Sequence, residues 1–106
     1  MEAGELRLTA AALADLDDIR SFTTDAWGRA QWLRYFAGLE AVFDRLRGDP
    51  SAGRGVARLA PGLRVVVDRS HRVFFHKNRR EEVVVLRVLH QKRDIEALRW
   101  AKMLEK

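Results

Sequence analysis

The sequence predicts an α+β fold in the order β-α-α-β-β-β, an antiparallel meander packed against an N-terminal helical hairpin. Three observations point there. Residues 10–47 carry apolar side chains at helical spacing, contain no proline and are interrupted by Gly28. Residues 48–62 are a loop rich in glycine and proline. Beyond it, three β-branched or aromatic runs follow one another across the short polar turns DRSH and NRREE, as antiparallel neighbours do. At 106 residues the chain is expected to form a single domain over 1–106.

Each element has its own signal. Residues 5–8 (ELRL) read as a short strand. Thr9 is placed to cap a helix over 10–26, although Ala12 three residues on leaves no capping box. In that helix Leu13, Leu16, Ile19, Phe22 and Ala26 form the expected apolar stripe. A second helix over 29–47 presents Trp32, Phe36, Leu39, Phe43 and Leu46 at alternating steps of four and three, read as a core seam. Gly48-Asp49-Pro50 ends it, because proline cannot continue a helix and glycine accepts the left-handed exit. Strands are expected at 63–67, 72–77 and 83–90. A short final helix is expected over 94–105, with Asp94 as its cap and Ile95, Leu98 and Met103 or Leu104 facing inward.

Composition narrows the function classes. Without cysteine there is neither a disulfide framework nor a thiolate metal site. The acidic start MEAGELRLTA is no signal peptide, and no stretch has the ~20 apolar residues needed to span a bilayer. A cytoplasmic protein with no membrane partner is the expectation. Charge is uneven: residues 1–50 sum to −3 and residues 51–106 to +8, so the second half attracts nucleic acid, a ribosome or an acidic protein segment.

The stretch 83–94, VVVLRVLHQKRD, joins a buried-looking strand to a cationic end. It delivers Arg87, His90, Lys92 and Arg93 together, with Asp94 closing the group. Such an end grips an anionic or carbonyl-rich partner; the plainer alternative is a core strand followed by a solvated turn. Histidine exchanges protons near neutrality, and His90 lies beside Arg87, Lys92 and Arg93 as His71 lies beside Arg72. His76 is expected to fill a sheet face. The three histidines are too irregularly spaced for a zinc site, and no metal or cofactor is expected. Arg79 and Arg80, opposed by Glu81 and Glu82, read as solvated turn residues. Trp100, on a polar tail, either packs on the first helix or marks a contact patch.

Read in order, LRLTAAALADLDDI, DAWG with Ala30 and Tyr35, DPSAG, LAPGLRVV, RVFFHK and LRVLHQKRD resemble the ParE branch of the RelE/ParE superfamily of type II toxin–antitoxin toxins, over residues 6 to about 96. The resemblance implies a RelE/ParE-like fold, a cytoplasmic toxin acting in plasmid or chromosome maintenance by growth inhibition, and a cognate antitoxin whose C-terminal segment wraps it in a hetero-oligomer. ParE-like members poison DNA gyrase by binding; RelE-like members are ribosome-dependent mRNA endonucleases. On the gyrase reading no residue is catalytic, and Arg87, His90, Lys92, Arg93 and Trp100 are the candidate target contacts. Trp27, Trp32, Arg54, Arg58 and Arg64 are the candidate antitoxin contacts. On the nuclease reading, the case with direct nucleic-acid binding, Arg72, His90 and Arg93 would do the chemistry, with Arg64 standing for a strand lysine. The late tyrosine of that branch falls near Arg99, and the single tyrosine, Tyr35, lies in the second helix, which favours the ParE reading. A toxin decayed to an antitoxin-binding module is a third reading.

Overall fold

The computed structural model describes residues 5–104. Chain order runs β1 (Leu6–Leu8), α1 (Ala10–Trp27), α2 (Arg29–Gly48), β2 (Arg54–Gly55), β3 (Arg64–Asp68), β4 (His71–Lys77), β5 (Val83–His90) and α3 (Trp100–Leu104). The strands form one sheet in the order β1-β5-β4-β3-β2. The meander pairs antiparallel as expected, and β1 adds to its far edge parallel to β5, with Leu6 opposite Val83 and Leu8 opposite Val85. The two-residue β2, inside the segment read as loop, pairs with β3.

The helical hairpin follows local chemistry. The Thr9 side chain accepts the Ala12 amide at 3.0 Å, starting α1. Gly28, at φ +90°, adopts a backbone that L side chains rarely take, and the two helices part there.

Because β1 is short, β5 outruns it from Leu86 to His90, and an unpaired edge would result. The start of α1 covers that edge. The Thr9 amide donates to the Val85 carbonyl at 3.1 Å and its hydroxyl to the Leu86 carbonyl at 2.8 Å. The Val88 amide donates to Asp15 Oδ2 at 3.0 Å, and the Arg87 guanidinium closes a fork on the same carboxylate at 2.7 and 2.8 Å. A β-bulge sits at the same place: Phe74 pairs Arg87 while Phe75 pairs Val85, leaving Leu86 extra. The extra residue moves the in–out alternation by one.

The bulge lets one strand feed two cores. On the helix side Val83, Val85 and Val88 join Val66, Val73 and Phe75 beneath Ala12, Leu16, Leu39, Phe43 and Leu46. On the other side Leu86 and Leu89 join Phe74 and Val65 beneath Leu63, Ile95 and Trp100.

Three expectations need correction. The buried face of α1 is Ala12, Asp15 and Leu16 with Ile19 partly covered, whereas Leu13 and Phe22 are 53% and 71% exposed and Ala26 is exposed. The face that docks is the one carrying Asp15, whose carboxylate answers the β5 edge; the more apolar line would leave that edge unsatisfied. The final helix is only Trp100–Leu104, because Asp94 accepts the Glu96 amide at 3.0 Å in a turn and Ile95 is buried before any helix begins; residue 105 lies outside the described residues. Trp100 neither touches α1 nor faces solvent. It is 2% exposed on the opposite side of the sheet, 4.5 Å from the Phe74 ring, and its indole N–H donates to the Ile95 carbonyl at 2.9 Å.

Replacing Asp15 by Ala should lower unfolding stability by about 3 kcal/mol in urea titration, because it strands a half-buried guanidinium and a buried amide. Trp100→Ala should cost a similar ~3–5 kcal/mol. Unchanged urea midpoints would contradict both accounts.

Candidate functional site

The meander register brings together residues far apart in sequence. His71 and His90 lie opposite each other at the ends of β4 and β5, their rings 5.4 Å apart and nearly perpendicular. Tyr35, one of the partly buried residues of α2, reaches down to this pair, and its phenol is hydrogen-bonded to His71 Nδ1. Arg69, in the β3–β4 turn at φ +54°, lays its guanidinium 3.8 Å from the centre of the Tyr35 ring. It also donates to the Tyr35 carbonyl and to Asp68, each at 2.6 Å. Gly38 makes room for this arginine: a Cβ there would collide with the guanidinium.

Electrostatics keep this cluster neutral at its centre. Burial pushes the Tyr35 phenol up, and burial, then His90 and Arg69, push His71 down. Both shifts favour the neutral forms, so a neutral phenol and a neutral imidazole share this hydrogen bond. His76 is likewise held down by burial, on the sheet face where the sequence placed it.

Around the cluster runs a groove of about 450 Å³ between α1 and the sheet end, with Ile19, Phe22 and Trp27 on one wall and Tyr35, His90 and Arg93 at the other. Trp27 is 74% exposed. Residues assigned from sequence to two different partners, Trp27 to the antitoxin and His90 with Arg93 to the target, thus line one groove. Its apolar wall suits an apolar side chain, and Arg93 and Asp18 place one exposed cation and one exposed carboxylate in the same lining.

The nuclease constellation does not assemble. Arg72 pairs Leu89 whereas His90 pairs His71, and neighbouring positions on a strand point to opposite faces. Arg72 accordingly lies on the Trp100 side, 5.7 Å from the Phe74 ring, and donates to the Arg93 carbonyl at 2.9 Å. The His90 side chain projects from the helix side, and what the Arg72 guanidinium reaches is the backbone of both residues, the His90 carbonyl at 3.5 Å and the Arg93 carbonyl at 2.9 Å.

The other candidates divide. Arg87 is forked onto Asp15, which holds its guanidinium protonated more firmly still, and Trp100 is buried against Phe74. Lys92 is exposed, its amide bonded to His90 Nδ1 at 3.1 Å. Trp32 is half-buried and stacks on Phe36 at 5.2 Å. Arg54 is exposed on β2, and Arg58 pairs with Glu96 on the surface. Arg64 clasps the glycine loop, donating to the Ser51 carbonyl at 2.7 Å and the Gly53 carbonyl at 3.3 Å. The Tyr35–His71 bond, the Arg69 lid and the Asp15 clamp escaped the sequence reading. Asp15 did leave a signal: it is a carboxylate in line with Ala12, Leu16 and Ile19, and Arg87 is a cation within an apolar strand.

This architecture is shared with solved toxins of toxin–antitoxin systems. The chain superposes on a chain of the chromosomal ParDE system from P. aeruginosa with a TM-score of 0.71 at 23% identity, covering 83% of this chain and 96% of that one. It superposes on a chain of the RelBE2 toxin–antitoxin complex from Mycobacterium tuberculosis with a TM-score of 0.61 at 22% identity, covering 88% and 97%. The fold is the RelE/ParE fold. Residues 6–95 also match the family described as "ParE toxin of type II toxin-antitoxin system, parDE". Toxin ParE1 of Mycobacterium tuberculosis is 35% identical over 89 residues, 84% of this chain and 91% of the relative. Toxin ParE of Escherichia coli is 36% identical over 88 residues, 83% and 85% of the two chains. The chain belongs to the ParE toxin family. No helix among the described residues is long and apolar enough to cross a membrane.

The two depressed histidines set a pH dependence. Unfolded, they bind protons near 6.5; folded, they bind them only at lower pH. Stability should therefore be full above about pH 7 and decline as pH falls below the unfolded value. Melting temperatures from about pH 8 to 5 check this, and His71→Gln should flatten the decline.

Proposed function

We propose that this chain is a cytoplasmic toxin that inhibits DNA gyrase by binding it and is neutralised by a cognate antitoxin. The observation that carries the reading is that the Arg72 and His90 side chains leave the sheet on opposite faces, with the Arg72 guanidinium bonded to backbone carbonyls of the β5 end. A phosphate-cleaving site needs its cations and its proton-transfer group around one phosphorus, and here they lie on opposite faces. What the β5 end offers is a binding surface: exposed His90, Lys92 and Arg93 beside an apolar groove. The hydrogen-bonded Tyr35–His71 pair lies beneath His90 and supports it.

Neutralisation follows from the same surface. Phe22 and Trp27 are large apolar side chains left open on the hairpin, next to the groove that holds His90 and Arg93. An antitoxin segment that folds over Trp27 covers the target contact in the same act, and ordering that segment couples its folding to binding.

Relaxed plasmid, gyrase and ATP test the target. The protein should block supercoiling, and Lys92→Glu/Arg93→Glu should need at least about tenfold more protein, since reversing rim charges weakens a steered encounter. Unimpaired supercoiling by the unaltered protein would sink the gyrase reading, and codon-positioned cuts in translated message would replace it. Phe22→Ser/Trp27→Ser should weaken antitoxin binding while leaving the melting temperature within a few degrees, because both side chains are exposed.

A further inference from the structure

A second and larger groove, of about 1310 Å³, lies on the Trp100 side of the sheet, bounded by the start of α1, the β4–β5 turn and α3. Its floor and one wall are aliphatic: Leu8 of β1, Val84 and Leu86 of β5, and Met103 and Leu104 of α3. Around it stand six cations, Arg7, Lys77, Arg79, Arg80, Arg99 and Lys102, against one lining carboxylate, Glu82. Asn78 donates to Glu82 at 2.9 Å and Arg7 lies 3.6 Å from it, while Lys77 lies 3.5 Å from Glu81. Arg79, Arg80, Arg99 and Lys102 are exposed and meet no carboxylate among the described residues. The rim therefore keeps a positive surplus.

A second feature is independent of the charge. His76 lines the same groove, is 8% exposed, and its Nε2 has no hydrogen-bond partner. A buried polar atom without a partner costs free energy that an incoming acceptor can recover. Burial holds this imidazole neutral, and a neutral imidazole can carry its proton on Nε2 and donate it.

The three features together describe an amphiphile, apolar along its length and anionic at its head. The apolar side chains line a concavity: Leu86 is 1% exposed, and Leu8, Val84, Met103 and Leu104 are half-buried. They can receive a chain but do not protrude as a bilayer-inserting face does. No Phe, Tyr or Trp lines the groove, which leaves nucleic-acid bases without a stacking platform.

We infer that this groove binds a single-chain fatty carboxylate. The chain lies on Leu8, Val84, Leu86 and Met103, the headgroup sits among Arg79, Arg99 and Lys102, and one carboxylate oxygen accepts from His76 Nε2–H. Met103, unbranched and polarizable, lets the wall adapt to the chain. The site shares no residue with the surfaces assigned above to gyrase or to the antitoxin, so it stands or falls apart from those readings.

Calorimetric titration of the full chain with sodium dodecanoate, below its micelle concentration, tests this. Binding should be one to one and should raise the melting temperature, because a ligand held only by the folded state stabilises it. Dodecanoate should bind at least about tenfold more tightly than octanoate, since each fully buried methylene contributes about a fourfold gain. Dodecanol and dodecyltrimethylammonium, with the same chain and no negative head, should bind at least about tenfold more weakly than dodecanoate. Arg99→Glu/Lys102→Glu should weaken dodecanoate binding about tenfold, less so at high salt. The milder Arg99→Gln/Lys102→Gln should fall between, and covers the case in which the double reversal fails to fold. His76→Phe should weaken dodecanoate about threefold or more and leave dodecanol unchanged, because it removes a donor and keeps the volume. Arg20→Glu/Arg45→Glu makes the same charge change away from the groove and should bind like the unaltered chain. Equal affinity for octanoate and dodecanoate, or equal binding by all variants, would overturn the proposal. So would many molecules bound per chain with a falling melting temperature, which is the action of a soap on the unfolded state. Retention on vesicles of equal parts phosphatidylglycerol and phosphatidylcholine, lost in the same variants, would also overturn it and make the groove a membrane contact.

Discussion

The carboxylate of Asp15 is the point on which the structure turns. One side chain from the second turn of α1 accepts the Val88 amide and both prongs of the Arg87 guanidinium. β5 is longer than its neighbour β1, so its distal edge must be satisfied by something other than a strand. Thr9 and Asp15 do this together, and in doing so they choose which face of α1 turns inward. The exposed positions of Leu13 and Phe22 follow directly, since a helix can bury one face only. Arg87 and the bulged Leu86 are held at the same place, and they set which side of the sheet each later residue of β5 takes.

That parity governs the functional surface. Past the bulge, Val88 and His90 face the hairpin and Leu89 faces Trp100. His90 is thereby delivered to His71, Tyr35 and Trp27, and Arg72 is sent to the other side. The Tyr35–His71 bond, with the Arg69 guanidinium stacked on Tyr35, forms the support beneath His90.

The basic character of residues 51–106 resolves into local uses once folded. Arg87 anchors α1, Arg64 clasps a loop, Arg69 caps Tyr35 and Arg72 braces the turn after β5. Others stay exposed, among them His90, Lys92 and Arg93 at the β5 end and Arg54 on β2. Net charge alone does not separate these roles, because an arginine bonded to a carbonyl and one facing solvent count equally.

Much of the fold is legible in the sequence, because its signals are local. Thr9 before an apolar helix, Gly28 between two helical runs, Gly48-Asp49-Pro50 after the second, and polar turns between β-branched runs each act within a few residues. The ParE resemblance rests on the order of such pieces, and residues 83–94, which carry the cationic end, are contiguous. Three things required the tertiary structure. Trp100 could be placed only by the opposite sheet face, because a short helix after an irregular turn has no periodicity to show its direction. The exposed line of α1 depended on Asp15 meeting an edge amide 73 positions away. The separation of Arg72 from His90, and the meeting of Tyr35 with His71, depended on a register containing one bulge, and a single extra residue reverses every side chain beyond it.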